Sequence, residues 1–70
     1  MNKIKINNAI YNIKKVLQDS KELKEFELED SNKNKFLFQL VLDKTPTLWK
    51  VNEKGFVRDN LIEVKNYRFI

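Results

Sequence analysis

Seventy residues without a cysteine or a histidine allow one small domain, and they exclude disulfide staples and the usual zinc, haem and iron–sulfur ligand sets. A chain this short buries only about 60% of its unfolded surface, so its stability must come from apolar packing, from a partner subunit, or from both. The net charge of +4 comes from lysine far more than from arginine. With abundant Asn and Ile it reads first as the codon bias of an A/T-rich genome, the kind found in low-G+C bacteria and their phages.

Lys3 and Lys5 alternate with Ile4 and Ile6, the pattern of a short strand. No apolar run of signal-peptide length follows this basic start. Ile6, Ala9, Ile10, Ile13, Val16, Leu17, Ser20 and Leu23 then recur at three-and-four spacing. That spacing predicts one face of a helix across residues 6–23, with Asn7 or Asn8 as its N-cap.

The period then changes. Phe26 and Leu28 alternate with Glu25, Glu27 and Glu29, as in a half-buried strand. Residues 30–35 are a polar loop of turn formers, and Phe36, Phe38, Leu40 and Leu42 follow at period two. Together these predict a β-hairpin over residues 25–42. Leu37 and Val41 fall on the face opposite the phenylalanines, so both faces of that strand are apolar, as in a central strand or one that meets a partner.

Thr45-Pro46-Thr47 breaks the chain, because proline has no N–H for a ladder bond. Leu48–Val51 predicts a short strand, and Asn52–Gly55 a turn around the sole glycine. Phe56-Val57-Arg58 is expected to pair back onto Leu48–Val51, with another turn or bulge at Asp59-Asn60. Leu61–Val64 and Tyr67–Ile70 predict one or two last strands with a break at Lys65-Asn66. The expected fold is α+β, a single domain over residues 1–70 with one N-terminal helix packed on an antiparallel meander of four to five strands. An all-β barrel with residues 4–17 as strands ranks second, because an eighteen-residue helical stripe rarely arises by chance.

Little in the sequence points to catalysis. The common general base and the common thiol nucleophile are missing, and one glycine cannot build a phosphate-cradling loop. Glu25, Glu27 and Glu29 alternate along a strand and read as a solvated face that discourages edge association, not as a metal or acid–base site. The expectation is a protein that is not an enzyme and has no metal or cofactor. The longest apolar run, Phe36–Leu42, is interrupted by Gln39 and falls far short of the roughly 20 residues that span a bilayer. The expected location is cytoplasmic, without membrane association.

Charge is segregated along the chain. Residues 1–20 hold four lysines against Asp19, and residues 31–50 hold four against Asp43. Between them, residues 21–30 hold two lysines against five carboxylates. Arginine gives the bidentate grip on guanine and phosphate, and only Arg58 and Arg68 are present, so sequence-specific duplex readout is not expected.

Trp49 reads either as a lid on one end of the core, its ring on the helix or on Phe38, or as a partly exposed anchor. Trp49, Phe56, Arg58, Tyr67 and Arg68 fall on what should be neighbouring strands and form the candidate partner-binding set. The chain has more large apolar residues than one helix-covered face needs, which also makes a homo-oligomer plausible. The leading expectation is a small non-enzymatic binding protein, of the inhibitor or adaptor type carried by phages and mobile elements, that occupies a surface of a larger protein. The alternative is a sequence-tolerant nucleic-acid binder using Lys14, Lys15, Lys33, Lys35 and Lys50 with the aromatics.

Overall fold

The structure, a computed structural model, describes residues 2–52 and 58–70, with the side chains of Arg58 and Asp59 outside the description. The described residues form seven strands in chain order: β1 (Lys3–Ile6), β2 (Ala9–Asp19), β3 (Leu23–Glu29), β4 (Lys35–Val41), β5 (Thr47–Val51), β6 (Arg58–Ile62) and β7 (Tyr67–Phe69). They form one antiparallel sheet in the order β6-β5-β4-β3-β2-β1-β7. None of the described residues is helical. The expected N-terminal helix packed on a meander is therefore wrong, and residues 6–23 instead form a hairpin turn, the long strand β2 and the tight turn that follows it.

The reason is local. Asn7 and Asn8 are not a helix cap; they are the two central residues of the β1–β2 turn, with φ of 50° and 70°. Positive φ at both positions is the type I′ geometry, whose twist matches that of the flanking strands, and asparagine tolerates it. Ile6 and Ala9 flank the turn as directly opposed partners, so they share a face at a spacing of three. β2 then carries two register shifts against β3, between Ile13 and Lys15 and between Val16 and Gln18. Each inserts one extra residue, a β-bulge. Ile13 and Val16 thus face the same way three residues apart, opposite Leu28 and Phe26. A two-residue turn and two bulges imitate the spacing of a helix.

The sheet is curled into a half-barrel. Residues 63–66 join β6 to β7, the two outermost strands, and five Cα steps reach at most about 18 Å. In a flat sheet those strands would lie about 29 Å apart at roughly 4.8 Å per strand. The side chains agree. Phe38 on β4 and Tyr67 on β7 are four strand steps apart, yet their ring centroids are 5.5 Å apart, and Phe26 meets Phe69 at the same distance. Asn7 locks the closing segment: its Nδ2 donates to the Glu63 carbonyl at 2.5 Å, and its Oδ1 accepts from the amides of Lys65 at 2.7 Å and Asn66 at 3.3 Å.

The inner face holds the core: Ile4, Ile6, Tyr11, Phe26, Leu28, Phe36, Phe38 and Leu48, with Ile13, Leu40, Ile62, Val64 and Phe69 packed against it. Five of these, Ile4, Ile6, Leu28, Phe38 and Leu48, are fully buried, each contributing about 1.5–3 kcal/mol of transfer free energy. The 25–42 hairpin is present as β3 and β4, and β4 is the central strand. Asp30 organises the loop between them. Its Oδ1 accepts from the amides of Asn32 and Asn34, each at 2.9 Å, and its Oδ2 from the Asn34 side chain at 3.1 Å. The glutamates of β3 lie on an interior strand and so cannot act as edge protection. The break at Lys65-Asn66 falls between β6 and β7 as expected. Asp59-Asn60 is not a turn; both residues lie within β6, where the register shift opposite Lys50 and Val51 leaves Asp59 without a cross-strand partner. The expected turn over Asn52–Gly55 and the strand start at Phe56-Val57 lie outside the described residues apart from Asn52.

Candidate functional site

Directly opposed residues of an antiparallel sheet share a face, and successive residues alternate. Val16, Phe26, Phe38, Leu48 and Ile62 form one cross-strand row on the core side. The next row, Lys15, Glu27, Leu37, Trp49 and Leu61, therefore lies on the outer face. It begins with an opposed charge pair and ends as three large apolar residues running to the β6 edge. Beside it lies a polar row. The Gln39 amide donates to the Glu25 carboxylate, and the Thr47 hydroxyl donates to Gln39 Oε1 at 3.3 Å.

Leu37 is only 7% exposed and Val51 is likewise buried, yet neither belongs to the core cluster. A residue buried on the face away from the core needs a cover on that face. Trp49 stands directly opposite Leu37, is itself half-buried, and is the large side chain in position to supply that cover. Leu61, on the other side of Trp49, is 59% exposed. β6 is the edge of the sheet, and among the described residues no strand pairs with its far side. A cavity of about 400 Å³ borders this edge, lined by Pro46, Thr47, Leu61, Ile62 and Val64 among others. An exposed leucine, a half-buried tryptophan and an edge strand thus come together at one border of the half-barrel.

Of the five residues expected to bind a partner, the side chains of Trp49, Tyr67 and Arg68 are described, and these three are not brought together. Trp49 is on the outer face of β5, and the side of the sheet that carries Phe38 is the opposite one, so the ring does not cap the core from there. Arg68 is also on the outer face but at the other edge, opposite Lys5. Tyr67 faces inward, against Phe38 and Phe69. Arg58 pairs with Val51 through its backbone, its side chain lying outside the description, and Phe56 lies outside the described residues. Leu61 completes the apolar row without having been singled out in the sequence. The signal was available in the alternation of Leu61 with Ile62, which places one on each face of β6.

The lysines of the nucleic-acid alternative stand beside the carboxylates of β3 and its following loop. Lys14 Nζ lies 3.9 Å from Glu29, Lys15 opposes Glu27 and Lys35 opposes Glu29. Lys50 belongs to the inner-side row between Phe36 and Asn60, and Lys33 sits in the β3–β4 loop with φ of 66°. Among the described residues two titratable groups are shifted. The Asp30 carboxyl is held below its ordinary value, chiefly by the Asn34 side chain, with the Asn34 and Asn32 amides and the Lys50 charge adding to it against a smaller opposing effect of burial. The Tyr11 hydroxyl is raised by burial and then by the Asp30 charge. Both shifts move away from neutrality, so neither group is poised as an acid or base near pH 7. No helix among the described residues is long and apolar enough to cross a membrane. No protein-family model, curated protein or solved structure matches the chain.

Proposed function

We propose that this is a small non-enzymatic binding protein of the inhibitor or adaptor type, acting in the cytoplasm and carried by a phage or mobile element, that occupies a surface of a larger protein. The observation that supports the reading is the outer-face row Leu37, Trp49 and Leu61, which ends at the edge strand β6. Edge strands present unpaired backbone groups and are normally protected by charge, proline or a cover. At this edge an exposed leucine stands beside a tryptophan. The arrangement suits an extended segment of the partner. Its backbone would pair with β6, and its alternate side chains would meet Leu61 and Trp49.

The test is a photo-crosslinking side chain at position 61, with position 10 on the outer face of β2 as control, in cells of the natural host. The reading expects one defined adduct with a larger protein from position 61 and none from position 10. Leu61→Glu should abolish copurification of that protein while leaving the thermal melt within a few degrees, because an exposed substitution changes stability by about 0.5 kcal/mol or less. Undiminished copurification with Leu61→Glu would refute the reading. Adducts only between two copies of the chain would refute it too, and would assign the face to self-association.

A further inference from the structure

We propose that the end of the half-barrel beside Tyr67 is a second binding site, for a phosphate-bearing nucleobase presented as a free nucleotide or as one unit of a single strand. The site is independent of the outer-face reading. The β2–β3 turn and the loop after β4 meet Tyr67 of β7 around a cleft of about 450 Å³. Its lining includes Lys21, Lys24, Lys44, Leu40, Leu42 and Tyr67. That volume lies in the range of small-molecule sites.

The cleft is held by backbone and ring contacts. The Leu42 amide donates to the Glu22 carbonyl at 2.9 Å and so ties the two loops together. Ser20 fixes the first loop, its hydroxyl donating to the Leu23 carbonyl at 3.0 Å and accepting from the Leu23 amide at 3.1 Å. In the second loop Asp43 takes φ of 62° and the Lys44 amide donates to the Val41 carbonyl at 3.0 Å, which sets the position of Lys44. Tyr67 points to the inner side of the sheet but stays 41% exposed. Its ring is braced edge-on by Phe38 at 5.5 Å and Phe69 at 6.3 Å. An aromatic ring that is both braced and exposed is a stacking surface at little further ordering cost.

Charge selects the rest of the ligand. Among the described residues, three lysines line the cleft against one acid, Asp43. Lys24 also lies 3.9 Å from Asp19, but both groups are well exposed and such pairs are weak. Ammonium groups recognise phosphate as point charges, without the directional fork of arginine. A fatty-acid carboxylate would engage one of the three and leave Tyr67 facing an alkyl chain. A nucleotide matches both features, with phosphate toward the lysines and a base on Tyr67. With no arginine among the described lining residues, recognition is expected to be tolerant of sequence.

The test uses the full ¹⁵N-labelled chain titrated separately with adenosine monophosphate, inorganic phosphate, dodecanoate and a single DNA strand of about ten nucleotides. The expected result is amide shifts confined to residues 21–24, 41–44 and 67, produced by the monophosphate and the strand, with affinity for the strand falling steeply with salt. Lys44→Glu, in an exposed turn, should weaken binding about tenfold or more. Tyr67→Leu should weaken the nucleotide about tenfold and leave inorganic phosphate unchanged. Much tighter binding of the strand than of the monophosphate would identify single strands as the ligand, and equal affinities a free nucleotide. No shift with either, shifts with dodecanoate alone, shifts centred on another surface, or full affinity in Lys44→Glu would each overturn the proposal.

Discussion

Replacing the two turn asparagines separates a hairpin from a helix at the place where the two readings of this sequence diverge. Asn7→Ala removes three side-chain hydrogen bonds, to the Glu63 carbonyl and from the Lys65 and Asn66 amides, which hold the β6–β7 connection against the first turn. These groups are exposed, so each bond contributes at the low end of about 0.5–1.5 kcal/mol. Alanine at φ near 50° adds roughly 1 kcal/mol of left-handed strain that asparagine largely escapes. The expected loss is about 2–3 kcal/mol, a large share of the stability of a domain this small. With a urea slope near 1 kcal/mol/M, the midpoint should fall by about 2 M at unchanged slope. Asn8→Gly should act in the other direction. Glycine takes φ of 70° freely, so the midpoint should rise by up to about 1 M. At the start of a helix the same glycine would be neutral or destabilising by a few tenths of a kcal/mol. A lowered midpoint for Asn8→Gly, or a change below about 0.5 kcal/mol for Asn7→Ala, would refute this account of the turn.

Two further outcomes follow from the core and from the β3–β4 loop. Phe38→Ala opens a cavity at a fully buried position beside the Phe26 and Tyr67 rings and should cost about 3–5 kcal/mol, enough to leave much of the chain unfolded by circular dichroism at room temperature. Asp30 titrates lower in the folded chain than in the unfolded one, so the stability it adds is complete above its ordinary value of 3.8 and is lost as pH falls below it. Asp30→Asn should therefore melt lower than the parent at neutral pH but lose less on acidification. Parallel acid limbs for the two proteins would contradict the role given to the Asn34 and backbone hydrogen bonds.

The strands with undisturbed alternation were legible from sequence alone. Phe26 and Leu28, then Phe36 and Phe38, state their inward faces at period two, and the polar loop read as residues 30–35 separates them, with Lys35 already in β4. The apolar second face of β4 was also visible, because Leu37 and Val41 interleave with the phenylalanines. β2 was not legible in this way. Its alternation is interrupted twice by bulges, and apolar Ile10 and Leu17 fill positions outside the regular inward set, completing a helical stripe. The competing signal was the Asn7-Asn8 doublet between Ile6 and Ala9, followed by the β-branched residues Ile10, Ile13 and Val16. The candidate site was half legible. Trp49 was found, but its face depends on the register of β5 against β4, which no local pattern fixes, and its neighbour Leu61 comes from a strand across the chain's last hairpin.

The faces, the rows and both proposed sites depend on β2 being a bulged strand paired with β3. The most direct test is the NMR assignment of residues 9–19. Extended-backbone chemical shifts with cross-strand contacts between Val16 and Phe26 and between Lys15 and Glu27 are the predicted result. Helical shifts with sequential amide–amide contacts through Ile13–Leu17 would contradict the half-barrel and, with it, the outer face that carries Trp49.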